Sequence, residues 1–126
     1  MKDRAEIIKN YIEGYNRFNV EQMIADLDDN LIFENISNGK ITDSLEGKDA
    51  FSEQAEQAKS FFSEREQTIT SMEHFENYSE VNIDYEATLA IEFSEELKIG
   101  DKIRMKGHSI FEFNPENKIT VIKDFS

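Results

Sequence analysis

From Val81 to Phe93 the chain alternates without a break. Val81, Ile83, Tyr85, Ala87, Leu89, Ile91 and Phe93 fall on one side, and Asn82, Asp84, Glu86, Thr88, Ala90 and Glu92 on the other. A period of two sustained this long is the pattern of a strand with one face buried and the other mostly polar. It predicts a long strand over Glu80 to Phe93, which needs partners on both edges. Flanking runs supply them: Glu66 to Phe75 before it, then Ile103 to Phe113 and Lys118 to Phe125 after it, the last two joined by the turn Asn114-Pro115-Glu116-Asn117. A further pair, Leu31 to Ser37 and Lys40 to Glu46, flanks Asn38-Gly39, the dipeptide best suited to the two positive φ angles of a type I′ hairpin turn. A plain two-residue turn there sets Glu34 opposite Asp43, which reads as a solvated acidic edge before it reads as a cation site.

The helices precede most of these strands. Between Ala5 and Phe18, Ile7, Ile8, Tyr11, Ile12, Tyr15 and Phe18 recur at spacings of three and four and form one stripe of a helix. Asn19 reads as the N-cap of a short second helix carrying Val20, Met23, Ile24 and Leu27, with Gln22 completing a capping-box pattern, and Asp28-Asp29-Asn30 ends it. After Gly47, a third helical stripe of Ala50, Phe51, Ala55, Ala58, Phe61 and Phe62 ends near Ser63. This order predicts one α+β domain over residues 1–126, with its helices gathered on one face of a curved antiparallel sheet.

Composition narrows the function classes. With 14 basic against 27 acidic residues the net charge is -13, which repels phosphate backbones and anionic lipid, so nucleic acid and membrane surfaces are not expected partners. No apolar run approaches the ~20 residues of a membrane helix. The absence of cysteine removes disulfides, thiolate metal sites and a cysteine nucleophile, and the charged start Met1-Lys2-Asp3-Arg4 lacks a signal-peptide core, so a cytoplasmic location is expected. His74 and His108 have no metal-ligand spacing, and there is neither a phosphate loop nor a nucleophile elbow, so no metal and no cofactor are expected. Charge clusters such as Glu64-Arg65-Glu66 and Ser94-Glu95-Glu96 read as solvated turns.

Four pieces, taken in order, resemble the nuclear transport factor 2-like, cone-shaped superfamily, in particular its SnoaL-like branch. They are Tyr11-Ile12-Glu13, Asp29-Asn30-Leu31-Ile32-Phe33-Glu34-Asn35, Leu45-Glu46-Gly47-Lys48-Asp49-Ala50-Phe51, and Ile110-Phe111-Glu112-Phe113 with Asn117-Lys118-Ile119. The resemblance implies three N-terminal helices packed on the concave face of the sheet around a mostly apolar pocket. Tyr11 falls where the ketosteroid isomerases keep their hydrogen-bonding tyrosine. Asn35 falls where they keep the aspartate that moves the proton, and an amide cannot serve as that base. Ser109 sits near the place of their protonated aspartate. Asp124 matches the aspartate near the end of the last strand that acts as general acid and base in the SnoaL-like cyclases.

Asp124 has two readings. Pairing the closing strands by apolar alternation sets Phe113 against Ile119 and Phe111 against Val121, which turns Asp124 outward beside His108 in a surface ion pair. The resemblance instead turns Ile122 and Asp124 inward beside Ser109 and Phe111, and that requires a bulge or a shifted register. Tyr15, Phe33, Tyr85 and Phe111 read either as cavity walls or as a phenylalanine-rich core. Two function classes follow. One is cofactor-free acid–base chemistry on a small apolar carbonyl compound, with Asp124 and Tyr11 catalytic and Asn35 beside them. The other is a non-catalytic binding or dimerisation module. By resemblance a homodimer is expected through the outer sheet face, with Ala90, Ile110 and Val121 at its centre and Glu92 opposite Arg104.

Overall fold

The computed structural model describes residues 2–126. Asp3 caps the first helix, α1 (Arg4–Asn16), accepting a 2.8 Å bond from the amide of Glu6, and Ile7, Ile8, Tyr11 and Ile12 are its buried stripe. The helix stops earlier than the stripe suggested because Phe18 takes the left-handed conformation, φ 57°, and the Asn19 amide returns to the Gly14 carbonyl at 2.8 Å. Asn19 then caps α2 (Val20–Ile24) as expected, but the capping box is half made: the Gln22 side chain bonds Asn10 instead of reaching back to Asn19. Helix α1 is thereby tied to α2.

Six strands form one sheet: β1 (Leu27–Ser37), β2 (Lys40–Glu46), β3 (Phe62–His74), β4 (Tyr78–Leu89), β5 (Lys102–Phe113) and β6 (Ile119–Phe125), in the order β2-β1-β6-β5-β4-β3. The sheet is curved but not wholly antiparallel as the sequence led us to expect, because β6 lies parallel to β1. Asn38 and Gly39 do turn the first hairpin, at φ 53° and 77°. A bulge after Asn35 shifts its register, however, so Asp43 faces Asn35 and Glu34 faces Ser44; the expected Glu34–Asp43 acidic pair does not form. Between β2 and β3 lies α3 (Lys48–Ala58), followed by a single 3-10 turn, Lys59–Phe61.

Along β4, Val81, Ile83, Ala87 and Leu89 are buried while Asn82, Asp84 and Glu86 are exposed, as the period of two requires. The strand ends at Leu89 rather than Phe93, because the Ala90 amide turns to the carbonyl of Phe61. Ile91, Glu92 and Phe93 therefore lie in the loop, and Arg104 pairs with Glu86 at 2.6 Å instead of with Glu92. The core sits between α1, α3 and the concave face, centred on the fully enclosed Ile8, Leu31, Val81, Phe111, Ile119 and Ile122. Register shifts in β1, β3 and β6 supply local bends of the kind that curve a sheet around such a core.

Candidate functional site

The closing hairpin decides which way Asp124 points. Phe113 faces Ile119, as apolar alternation predicts, but the next pair is Glu112 with Val121, leaving Thr120 as an extra residue in β6. That bulge reverses the strand's parity. Beyond it Phe111 faces Ile122, Ser109 faces Asp124, and His108 faces Phe125, so the surface pair of His108 with Asp124 does not form. His108 instead bonds Asn82 on the outer side, its Nδ1 2.9 Å from the amide oxygen.

On the inner side the Ser109 hydroxyl donates to Asp124 Oδ1 at 2.7 Å. It is the one hydrogen bond to that carboxyl among the described residues, so Oδ2 carries none. Burial raises the Asp124 pKa from 3.8 to about 6, with the Ser109 bond acting in the opposite sense. On its other flank β6 sets Asp124 beside Asn35 of β1.

Asp124 borders two hollows that share Tyr15, Gln67 and Asp124 itself. The inner hollow, about 130 Å³, is walled by Tyr11, Phe33, Leu45, Phe51 and Arg65, among others. The outer one, about 250 Å³, is lined by Asn35, Tyr85, Ser109 and Met105, among others. Together they lie at the small end of ligand pockets, which run to several hundred Å³. Two larger hollows, about 400 and 470 Å³, are lined mainly by charged side chains such as Glu66, Glu86 and Arg104, and do not include Asp124.

The candidate residues therefore divide. Tyr11, Tyr15, Phe33, Asn35, Tyr85, Ser109 and Asp124 line one hollow or the other. Phe111 and Ile122, named above as pocket residues, are 1% and 0% exposed and border neither hollow. They form the layer beneath: the Phe111 ring meets Tyr11 edge-on at 5.6 Å. Asn35 spends its amide nitrogen on Thr42, at 2.9 Å. The Tyr15 and Tyr85 hydroxyls bond each other at 2.8 Å. Burial raises the pKa of Tyr11, Tyr15 and Tyr85, and the nearby Asp124 charge adds to this for Tyr11. All three stay protonated across the neutral range.

The sequence reading passed over Arg65 and Gln67. Glu64-Arg65-Glu66 is not a turn: β3 begins at Phe62, and Arg65 is 6% exposed on the concave side. Its Nε donates to the Tyr15 carbonyl at 2.8 Å, and its guanidinium stacks on Tyr15 and Phe18. The available signal was parity, since Arg65 and Gln67 share their phase with Ile69. Among the described residues no group of three or more metal-ligating side chains comes together.

Comparison with solved structures finds the same α+β fold in other proteins. An uncharacterised cystatin-fold protein from Novosphingobium aromaticivorans superposes with a TM-score of 0.81 at 14% identity, covering 100% of both chains. A proposed SnoaL-like polyketide cyclase from Jannaschia sp. CCS1 gives 0.80 at 10% identity, over 97% of this chain and 83% of that one. An LEH-like epoxide hydrolase from M. tuberculosis gives 0.76 at 12%, over 97% and 80%. At such identities the likeness is one of fold. The family itself is set by sequence: residues 8–122 match the SnoaL-like domain, and the chain belongs to that family. Comparison with curated proteins found no match.

Proposed function

We propose that this chain is a cofactor-free acid–base catalyst acting beside the carbonyl of a small, largely apolar compound, with Asp124 as the group that takes and returns the proton. The observation that carries the reading is the Asp124 carboxyl itself, bordering a cavity with Oδ2 free and its pKa pushed up to about 6. A general base works best when its pKa lies near the working pH. In the proposed step Oδ2 accepts a proton from the carbon next to the carbonyl, the C–H electron pair becomes the enolate double bond, and negative charge moves onto the carbonyl oxygen. The Tyr11 hydroxyl, in the same hollow and kept protonated by burial, donates to that oxygen. Asn35, already bonded to Thr42, and Tyr15, Phe33, Tyr85 and Ser109 complete the walls. The Jannaschia relative's description as a SnoaL-like cyclase supports the same class of chemistry.

The reading is tested by hydrogen–deuterium exchange at the α-carbon of a panel of small ketones and β-keto esters in D2O, followed by NMR. Exchange above the buffer rate is expected in the wild type, with a ~10²-fold or greater loss in Asp124→Asn. Exchange that survives the substitution would overturn it. The second reading, a binding module without chemistry, is favoured by Asn35 standing where the isomerases keep their base; it predicts ligand affinity with no exchange in either protein. For assembly we propose a homodimer through the outer sheet face, around Ile110 and Val121 as expected, with the 41%-exposed Ile32 that pairs with Val121 in place of Ala90, which lies beyond the end of β4.

A further inference from the structure

Arg65 is a buried cation without a counter-ion. Among the described residues no carboxylate reaches ion-pair distance of it. Its bond to the Tyr15 carbonyl places it against the last turn of α1, where the helix carries partial negative charge. Its guanidinium carbon lies 3.7 Å from the centre of the Tyr15 ring and 4.4 Å from that of Phe18, and those aromatic faces offset part of its desolvation. The hydrogen-bonding capacity of the group is nevertheless unfilled. Nη2 is buried with no partner, and an orphaned buried donor is destabilising, the more so when it is charged. Fastening α1 to β3 does not require that cost.

We propose that Arg65 anchors a carboxylate on the molecule occupying the inner hollow, so that the ligand class is small carboxylic acids with an apolar body. This rests on the acid–base reading and deepens it by naming which end of the substrate is held. A ligand carboxylate at the guanidinium supplies the missing countercharge, through charge-assisted bonds roughly twice as strong as neutral ones, and the enclosed Nη2 gains an acceptor as the guanidinium turns toward the hollow. Met23, Phe33, Leu45 and Phe51 in the same hollow give the body of the molecule an apolar seat. Asp124 lines that hollow too and forms no ion pair with Arg65, so holding and reacting fall to separate groups. Arg65 also borders the groove outside Asn16 and Phe18, which Glu64, Glu66 and Glu86 line together with Lys102 and Arg104; it lacks the apolar seat that Met23, Phe33, Leu45 and Phe51 give the inner hollow.

The test compares a matched acid and amide, phenylacetate and phenylacetamide, by titration calorimetry at pH 7.5. The acid is expected to bind the wild type at least ten-fold more tightly than the amide, and that ratio to fall to near one in Arg65→Gln. Equal binding of the two probes, no binding of the acid, or a ratio that survives Arg65→Gln would overturn the proposal. Because Arg65→Gln also loosens α1, a second measurement uses the intact protein. The Arg65 Nε–H resonance is expected to shift with phenylacetate and not with phenylacetamide, and a resonance indifferent to both would equally overturn it. Asp124→Asn is expected to bind phenylacetate at least as tightly as the wild type. If proton exchange proves independent of Asp124 while the acid preference holds and depends on Arg65, the acid–base reading falls and the anchor stands.

Discussion

Ser109 and Asp124 face each other across β5 and β6, and the serine hydroxyl donates to the carboxylate at 2.7 Å. The bond stabilises the charged form of a group that burial drives the other way. Ser109→Ala is therefore expected to raise the Asp124 pKa above about 6. A hydrogen bond to a charged group contributes ~1.5–3 kcal/mol, so the rise should be about one pH unit or more. Carboxyl carbon NMR across a pH titration reads this directly; an unchanged or lowered value would show that the serine does not hold the charged form.

The same carboxyl makes stability depend on pH. Its folded pKa, about 6, lies above the value near 3.8 expected for the unfolded chain, so between these the folded state holds more protons and stability falls as pH rises. The penalty is absent well below pH 4 and complete well above pH 6, where a displacement of about two pH units corresponds to ~3 kcal/mol. Asp124→Asn should therefore raise the melting temperature at pH 8 and leave it nearly unchanged at pH 3.5. A variant no more stable than the wild type at pH 8 would count against a desolvated carboxyl.

Gly14 is needed for close approach. A Cβ there would stand 2.8 Å from the backbone nitrogen of Met23 and 3.1 Å from the Asn19 carbonyl oxygen, and backbone cannot step aside as a side chain can. Gly14→Ala, which ordinarily favours a helix, is expected to cost ~1–3 kcal/mol in urea unfolding by pushing α2 off α1. A neutral or stabilising result would mean that the α1–α2 contact gives way easily.

The proposed dimer is checked by sedimentation. We expect two copies per particle at micromolar concentration and a monomer for Ile110→Asp, whose new charge would be buried at the centre of the interface. A wild-type monomer would remove the outer face from consideration.

Much of this architecture was readable because local rules and tertiary packing agree in it. Asn38-Gly39 had one comfortable conformation, and the alternation along β4 had one way to bury its apolar side. The site was less readable because two of its determinants leave little trace in the residues. At Thr120 an apolar run, Ile119 to Ile122, pairs acceptably with β5 in either parity, so alternation alone favoured the wrong one. Arg65 carries a charge between two glutamates, and a cation buried against aromatic rings and a helix end looks, in sequence, like one standing in water. Gln22 illustrates a third limit: the capping pattern was present, but Asn10, twelve residues earlier, offered its side chain a better partner.

The order of the strands also governs how the molecule is completed. The β1–β2 hairpin and the β3-β4-β5 meander are each made of neighbours in sequence, and β6 is what joins them. Its two edges pair with β1 on one side and β5 on the other, so neither half-sheet is complete without it. One seven-residue strand thus both closes the sheet and carries Asp124 to the hollow. Without it the facing edges of β1 and β5 would stand unjoined, open to pairing with other chains.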